Sequence, residues 1–278
     1  MIAGAQRCAR AVIEYEGTAF AGSQYQPNHR TVQGELEGAL NRLTGERVRI
    51  HLAGRTDAGV HATGQVVAFC LSRRGRGENV RWRELRERLN GLLPPDLAVR
   101  SLRSAPPGFD PRRQAIGRVY RYRIRTGGGK RPLDRHRTFE IGERLDTAAM
   151  RAAAVELVGE RDFAALGSDS RGSTRRRLSD IAIARRGDLV EIRVTGNAFL
   201  RGMVRSIVAV LIEAGRGKLA PAEIAPLLQA GERALAGRAA PARGLTLERV
   251  IYPKTKRTGG APTGRIGPKQ ERTGEQAT

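Results

Sequence analysis

Residues 119–124 alternate without a break: Val119, Arg121 and Arg123 share one parity, and Tyr120, Tyr122 and Ile124 share the other. A side-chain period of two belongs to a β-strand, and this split gives the strand one arginine-bearing face and one aromatic and aliphatic face. Such a strand needs a packed layer on one side only, which suits a sheet covered by helices. Short apolar runs at 9–15, 65–71, 97–102, 178–184, 189–194 and 245–251 read as further strands, with Val48, Ile50 and Leu52 as another. The runs 178–184 and 189–194 form a hairpin around Arg186-Gly187-Asp188. Thr31 is placed to cap a helix that carries Val32, Leu36, Leu40 and Leu43 and stops at Gly45. Trp82 to Leu93 reads as a second helix ended by Pro94-Pro95, and 147–158, 199–214 and 221–228 as three more. Strands outnumber what β-α-β alternation supplies, and short turns join several of them. The expected class is therefore α/β in its α+β form, a mixed and mostly antiparallel sheet with helices packed outside.

The 278 residues divide at a glycine run, 126–130, into an N-terminal half (1–125) and a C-terminal half (126–253). Residues 254–278, with six basic and two acidic side chains and almost nothing apolar, read as a disordered basic tail. The charged stretch 73–78 reads as a solvated loop. No window approaches 18 uninterrupted apolar residues, so no membrane span is expected. Without a basic, then apolar, leader at Met1 the expected location is the cytoplasm. Cys8 and Cys70 are too few for a disulfide framework and lack CxxC spacing, which fits a reducing compartment and argues against structural zinc. The four histidines make no HxxxH or HExxH pattern, so no metal is expected.

Fifty basic against 28 acidic residues leave a formal charge of +22, and that makes a polyanion the leading partner. Only five of the basic residues are lysines, so a GC-rich genome offers a competing explanation for the arginines. No helix-turn-helix, zinc-finger or basic-zipper signature points to DNA.

The densest motif is Gly54-Arg55-Thr56-Asp57-Ala58-Gly59-Val60-His61, followed by Gly64-Gln65. Its GxxxxG spacing is that of a phosphate loop, but Val60-His61 stands where a nucleotide site needs Lys-Ser/Thr, which excludes a nucleoside triphosphate. What remains is one carboxylate, Asp57, on a loop between two strands, flanked by an arginine and by glycines that admit close backbone approach. An Asp beside glycines is most often a turn residue, and a histidine such as His61 in a glycine-rich loop is more often packed than chemical.

This loop resembles the active-site loop of tRNA pseudouridine synthase A, the TruA family. The similarity continues in chain order through Glu14-Tyr15-Glu16-Gly17-Thr18, Thr31-Val32-Gln33, Leu93-Pro94-Pro95-Asp96-Leu97, Arg118-Val119-Tyr120-Arg121-Tyr122, Asn197-Ala198-Phe199-Leu200-Arg201-Gly202-Met203-Val204-Arg205 and Ala240-Pro241-Ala242-Arg243-Gly244-Leu245. It implies the pseudouridine synthase fold, two similar halves around a central catalytic cleft. The implied activity is isomerisation of uridine to pseudouridine at nucleotides 38 to 40 of the tRNA anticodon stem-loop, by a homodimer with no cofactor. Asp57 matches the family's nucleophile, Tyr120 its base-stacking tyrosine with a possible part in proton transfer, and Arg205 the basic partner of the aspartate. Arg55 is expected to anchor or wedge the RNA, and Gln65 to contact it. An RNA-binding protein without chemistry needs only charge and aromatic spacing, and intact Asp57, Tyr120 and Arg205 favour the enzyme over it. Arg112, Arg113, Arg118 and Arg121 are expected beside Arg55 and Arg205 at the cleft. The chain departs from the family at Ser23, where a tryptophan is usual, at Asp110, where a histidine is usual, and at Leu166, where an aromatic is common.

Overall fold

Among the described residues ten strands and five helices follow the order in which the apolar runs predict them, two of the ten being short strands that the runs do not mark. The computed structural model describes residues 6–72, 80–168, 172–231 and 239–253. The expected loop at 73–78 and the tail at 254–278 lie outside the described residues.

The first half contains β1 (Gln6–Tyr15), α1 (Val32–Thr44), β2 (His51–Leu52), β3 (His61–Ser72), α2 (Trp82–Leu92) and β4 (Leu97–Ser104). There follow β5 (Gly117–Thr126), β6 (Phe139–Ile141), α3 (Thr147–Leu157), β7 (Gly159–Asp162), β8 (Arg175–Arg186), β9 (Leu189–Gly196), α4 (Met203–Gly215), α5 (Pro221–Gln229) and β10 (Leu245–Ile251). One sheet holds all the strands in the order β4-β1-β3-β10-β5-β9-β8-β7, with β2 added to β3 and β6 to β5. Every pairing is antiparallel except β3 with β10 and β5 with β6. The sheet therefore runs without a break across residue 125, because β10 from the end of the chain lies between β3 and β5.

The caps are those the residue types dictate. The Thr31 hydroxyl accepts from Gly34 N (3.1 Å), and Gly45 closes α1 in the left-handed region at φ 72°. Asp146 caps α3 by accepting from Ala148 N and Ala149 N. α4 begins later than its apolar pattern, at Met203, because Gly202 (φ 75°) turns the chain just before it. Residues 197–202 are thereby left as a loop, tied by the Asn197 side-chain oxygen to Arg177 N and Ala198 N. β2 pairs over two residues only, since Ile50 N is taken by the Glu37 carboxylate. β6 and β7 are too short, and β7 (Gly-Glu-Arg-Asp) too polar, to show an apolar alternation.

A continuous core joins both halves, with Leu36, Leu40, Leu85 and Leu89 from α1 and α2, Met150 and Leu157 from α3, and Ile207 and Leu211 from α4. Within β1, Ala9, Ala11, Ile13 and Tyr15 are buried while Arg10 between them is exposed. Cys8 faces Cys70 across the β1–β3 pair and is joined to it by a disulfide. The two cysteines, expected to fit a reducing compartment, thus form one bridge. The cysteines are 62 residues apart in the chain, but the antiparallel register sets them opposite each other.

Replacing Thr31 with alanine removes the acceptor for the first turn of α1. We expect it to cost about 1 kcal/mol, read as a lower urea midpoint at unchanged slope.

Candidate active site

The loop between β2 and β3 is held from three sides. From β3, Gln65 Nε2 donates to the Gly54 carbonyl (2.7 Å). From the β1–α1 loop, Ser23 and Thr56 exchange two bonds: Thr56 N donates to Ser23 Oγ (2.8 Å) and Ser23 N to Thr56 O (3.0 Å). The Tyr15 hydroxyl meets Thr56 Oγ1 at 2.9 Å, and burial pushes that phenol up to about 12. A turn closed by Val60 N to Asp57 O (3.2 Å) then presents Asp57, with Gly59 at φ 77°. Gly17 lies so close beneath the turn that a β carbon there would sit 2.1 Å from the Val60 carbonyl oxygen.

His61 fastens the end of the loop. Its Nδ1 accepts from Gly17 N (2.9 Å) and its Nε2 donates to the Arg243 carbonyl (3.0 Å), a pair of bonds that requires the neutral ring. Burial lowers its basicity further, against the pull of Glu16 3.3 Å away. It is packed and bonded, as a histidine in such a loop was expected to be.

Facing this loop across a cleft of about 880 Å³ are Tyr120 of β5, Phe199 of the β9–α4 loop, and Arg201 and Arg205 around the start of α4. Tyr120 is 8% exposed and meets Phe199 edge-on, ring centres 5.2 Å apart. Burial raises its phenol well above the usual range, and Tyr15 and Asp57 push it the same way. The Asp57 side chain, 35% exposed, has Arg205 Nη1 3.9 Å from Oδ2 and Arg201 Nε 3.8 Å from Oδ1. Both distances exceed those of a direct charge-assisted hydrogen bond. Arg205 is itself oriented by Nε donating to Ala240 O (2.6 Å).

The structure brings Asp57, Tyr120, Arg205 and Arg55 to one cleft, with Arg55 on the exposed rim. It does not bring Gln65 there: that side chain is 0% exposed behind the loop and offers no surface to an RNA. Arg112 and Arg118 line the cleft as expected, but Arg121 does not. It has the opposite parity to Tyr120 on β5 and points to the other face, 3.7 Å from both Glu191 and Glu248. Arg113 points into solvent beside Asp110. Sequence reasoning also missed Arg176, Phe199 and Arg201 as cleft residues; Phe199 and Arg201 stood in a stretch read as helix, where their side chains belong to different faces.

The three departures have local accounts. Ser23 is the brace on Thr56 described above. Asp110 accepts from Arg112 N (2.8 Å) and Arg113 N (2.9 Å), which holds its carboxyl below the usual range and commits its charge to its own turn. Leu166 is buried in the core.

Among the described residues no helix is long and apolar enough to cross a membrane, and no group of three or more His, Cys, Asp or Glu could hold a metal ion. Among the described residues six arginines and a single carboxylate line the cleft, with Tyr120 and Phe199 edge-on within it. That combination suits a site that receives a polyanion beside one carboxylate. The sequence profile described as tRNA pseudouridine synthase matches residues 11–111 and again 153–253, one block in each half. The chain is 44% identical over 249 residues to tRNA pseudouridine synthase A of Geobacter sulfurreducens, covering 88% of this chain and 100% of that one. It is 42% identical over 246 residues to the enzyme of the same name from Myxococcus xanthus (87% and 91% covered) and 44% over 249 residues to that from Chloroflexus aurantiacus (87% of each). The chain belongs to the tRNA pseudouridine synthase family, a family of isomerases.

Two outcomes follow from the loop's anchors. Gly17→Ala forces backbone apart at Val60, and we expect a loss of about 1–3 kcal/mol in chemical denaturation. His61 binds a proton less readily folded than unfolded, so stability is full above its unfolded value of about 6.5 and falls as the pH drops through it. The unfolding midpoint of the wild type is expected to fall between about pH 7 and pH 5 more steeply than that of His61→Gln.

Proposed function

We propose that this chain isomerises uridine to pseudouridine in tRNA, at nucleotides 38 to 40 of the anticodon stem-loop, with Asp57 as the nucleophile. The observation that carries the reading is the single carboxylate of an arginine-lined cleft, set beside a buried tyrosine and between two guanidinium groups. The net reaction breaks the C1′–N1 bond, forms C1′–C5, and moves the C5 proton to N1. Each bond lost is replaced within one nucleotide, so the reaction calls for no redox carrier or nucleoside triphosphate.

Asp57 acts on the nucleotide while the glycosidic bond is open, and Arg205 stands beside its carboxylate. The 35% exposure of the Asp57 side chain leaves it open to the nucleotide in the cleft. Tyr120 serves as the platform on which the displaced uracil stacks. Its raised phenol keeps its proton through the neutral range, which supports stacking over action as a base. Arg55, exposed at the rim, offsets the cost of unstacking, a few kcal/mol, by binding a phosphate or occupying the vacated stack. The site works in the cytoplasm and in a homodimer; the Cys8–Cys70 bridge is the one feature that a reducing compartment does not favour.

Carbodiimide-induced reverse-transcription stops on unmodified tRNA read the product directly. Asp57→Asn is expected to lower the rate at least about 10³-fold with tRNA affinity within about threefold. Full conversion by this variant, or no product at 38 to 40 from the wild type, refutes the assignment. Tyr120→Phe keeps the ring and should stay within about tenfold of wild type, whereas Tyr120→Ala loses the stacking contribution of about 1–3 kcal/mol.

A further inference from the structure

Arg118 is the cleft's one arginine that is buried, at 9% exposure, and it has no carboxylate partner among the described residues. Its guanidinium is spent on backbone carbonyls. Nη2 donates to Ala53 O (2.9 Å) and Arg112 O (3.0 Å), and Nη1 donates to Asn197 O (2.8 Å) and, more weakly, to Ala115 O (3.4 Å). Ala53 begins the loop that presents Asp57, and Asn197 begins the loop that presents Phe199 and Arg201 and leads into Arg205. These two segments are the opposing walls of the cleft. Burial without an anion disfavours the charged form, so the residue is costly to keep for packing alone. A planar fork with donors on two arms can hold two fixed carbonyls at a set separation. A lysine ammonium, a single point charge on a flexible stem, cannot.

We propose that Arg118 is a positioning residue that sets the spacing between the Asp57 loop and the Phe199–Arg205 wall through backbone carbonyls, without touching the RNA. The inference rests on the reading of this cleft as the site of uridine isomerisation. Arg118 shares its strand face with Tyr120, so one strand supplies both the platform for the base and the clamp on the two walls.

The test uses the full chain, tRNA tritiated at uridine C5, single-turnover tritium release for the chemical step and filter binding for tRNA affinity. For Arg118→Lys and Arg118→Gln we expect release at saturating enzyme to fall at least about 30-fold while the dissociation constant stays within about threefold. Because Arg118 acts through the placement of Asp57 against Arg205, the double variant Arg118→Lys/Arg205→Lys should be no more than about threefold slower than the slower single variant. Wild-type release by both Arg118 variants overturns the inference. So does weakened tRNA binding with an unchanged saturated rate, which marks an RNA contact, and so do multiplying losses in the double variant. Failure of both single variants to show a cooperative unfolding transition also overturns it, placing Arg118 in global stability. No release from the wild type overturns the assigned activity, and the inference with it, whereas an active wild type with unaffected variants overturns the inference alone.

Discussion

The parallel contact between β10 and the start of β3 makes one sheet out of two halves, and the site exists because of it. Only two residue pairs carry it, Thr246 with His61 and Leu247 with Ala62. The approach is close enough that a β carbon on Gly64 would meet the Glu248 carbonyl oxygen at 2.2 Å, so a side chain there would wedge the seam open. On its other edge β10 sets Leu247 opposite Tyr120. The strand that follows the Asp57 loop, the strand from the chain's end and the strand that bears the tyrosine thus lie side by side. The chain entering β10 packs on the Asp57 loop in turn, with Arg243 O bonded to His61 and Ala242 against Gly59.

The same sheet sorts the charge. On the face of β5 away from the cleft, Arg121 and Arg123 meet Glu191, Arg121 also meets Glu248, and Arg125 meets Asp134 and Asp188. Those arginines are neutralised within the protein. On the cleft face, Arg201 and Arg205 lie beside Asp57, and Arg118 is bonded to backbone carbonyls. A net charge of +22 therefore becomes a local positive potential over a concave, partly buried surface, where a phosphate chain is drawn in.

The cleft's parts differ in stiffness. The Asp57 loop is pinned by Gln65, Ser23, Tyr15 and His61, and Arg205 is aimed by the Ala240 carbonyl, yet the ions themselves stand nearly 4 Å apart. A rigid frame around an open centre suits chemistry on a base that must be released, turned and rejoined, because the protein pays its ordering cost before the substrate arrives.

Local signals carried much of this. The alternation of β5 predicted its strand and the burial of Tyr122, whose hydroxyl bonds Pro241 O, and Thr31, Gly45 and Pro94-Pro95 marked the ends of α1 and α2. The motif around Asp57 marked the loop at the cleft because the residues that make a tight, glycine-supported turn are contiguous. The fold alone decided the rest. Arg121 is next to Tyr120 in sequence and on the opposite side of the sheet, Cys8 and Cys70 meet only through strand register, and Gln65 is turned inward by the loop it holds. Arg201 reaches Asp57 because Gly202 delays the helix. Periodicity is a property of neighbours along the chain, whereas the pairing of a carboxylate with its cations, or of one sheet half with the other, depends on segments that sequence separates and only packing brings together.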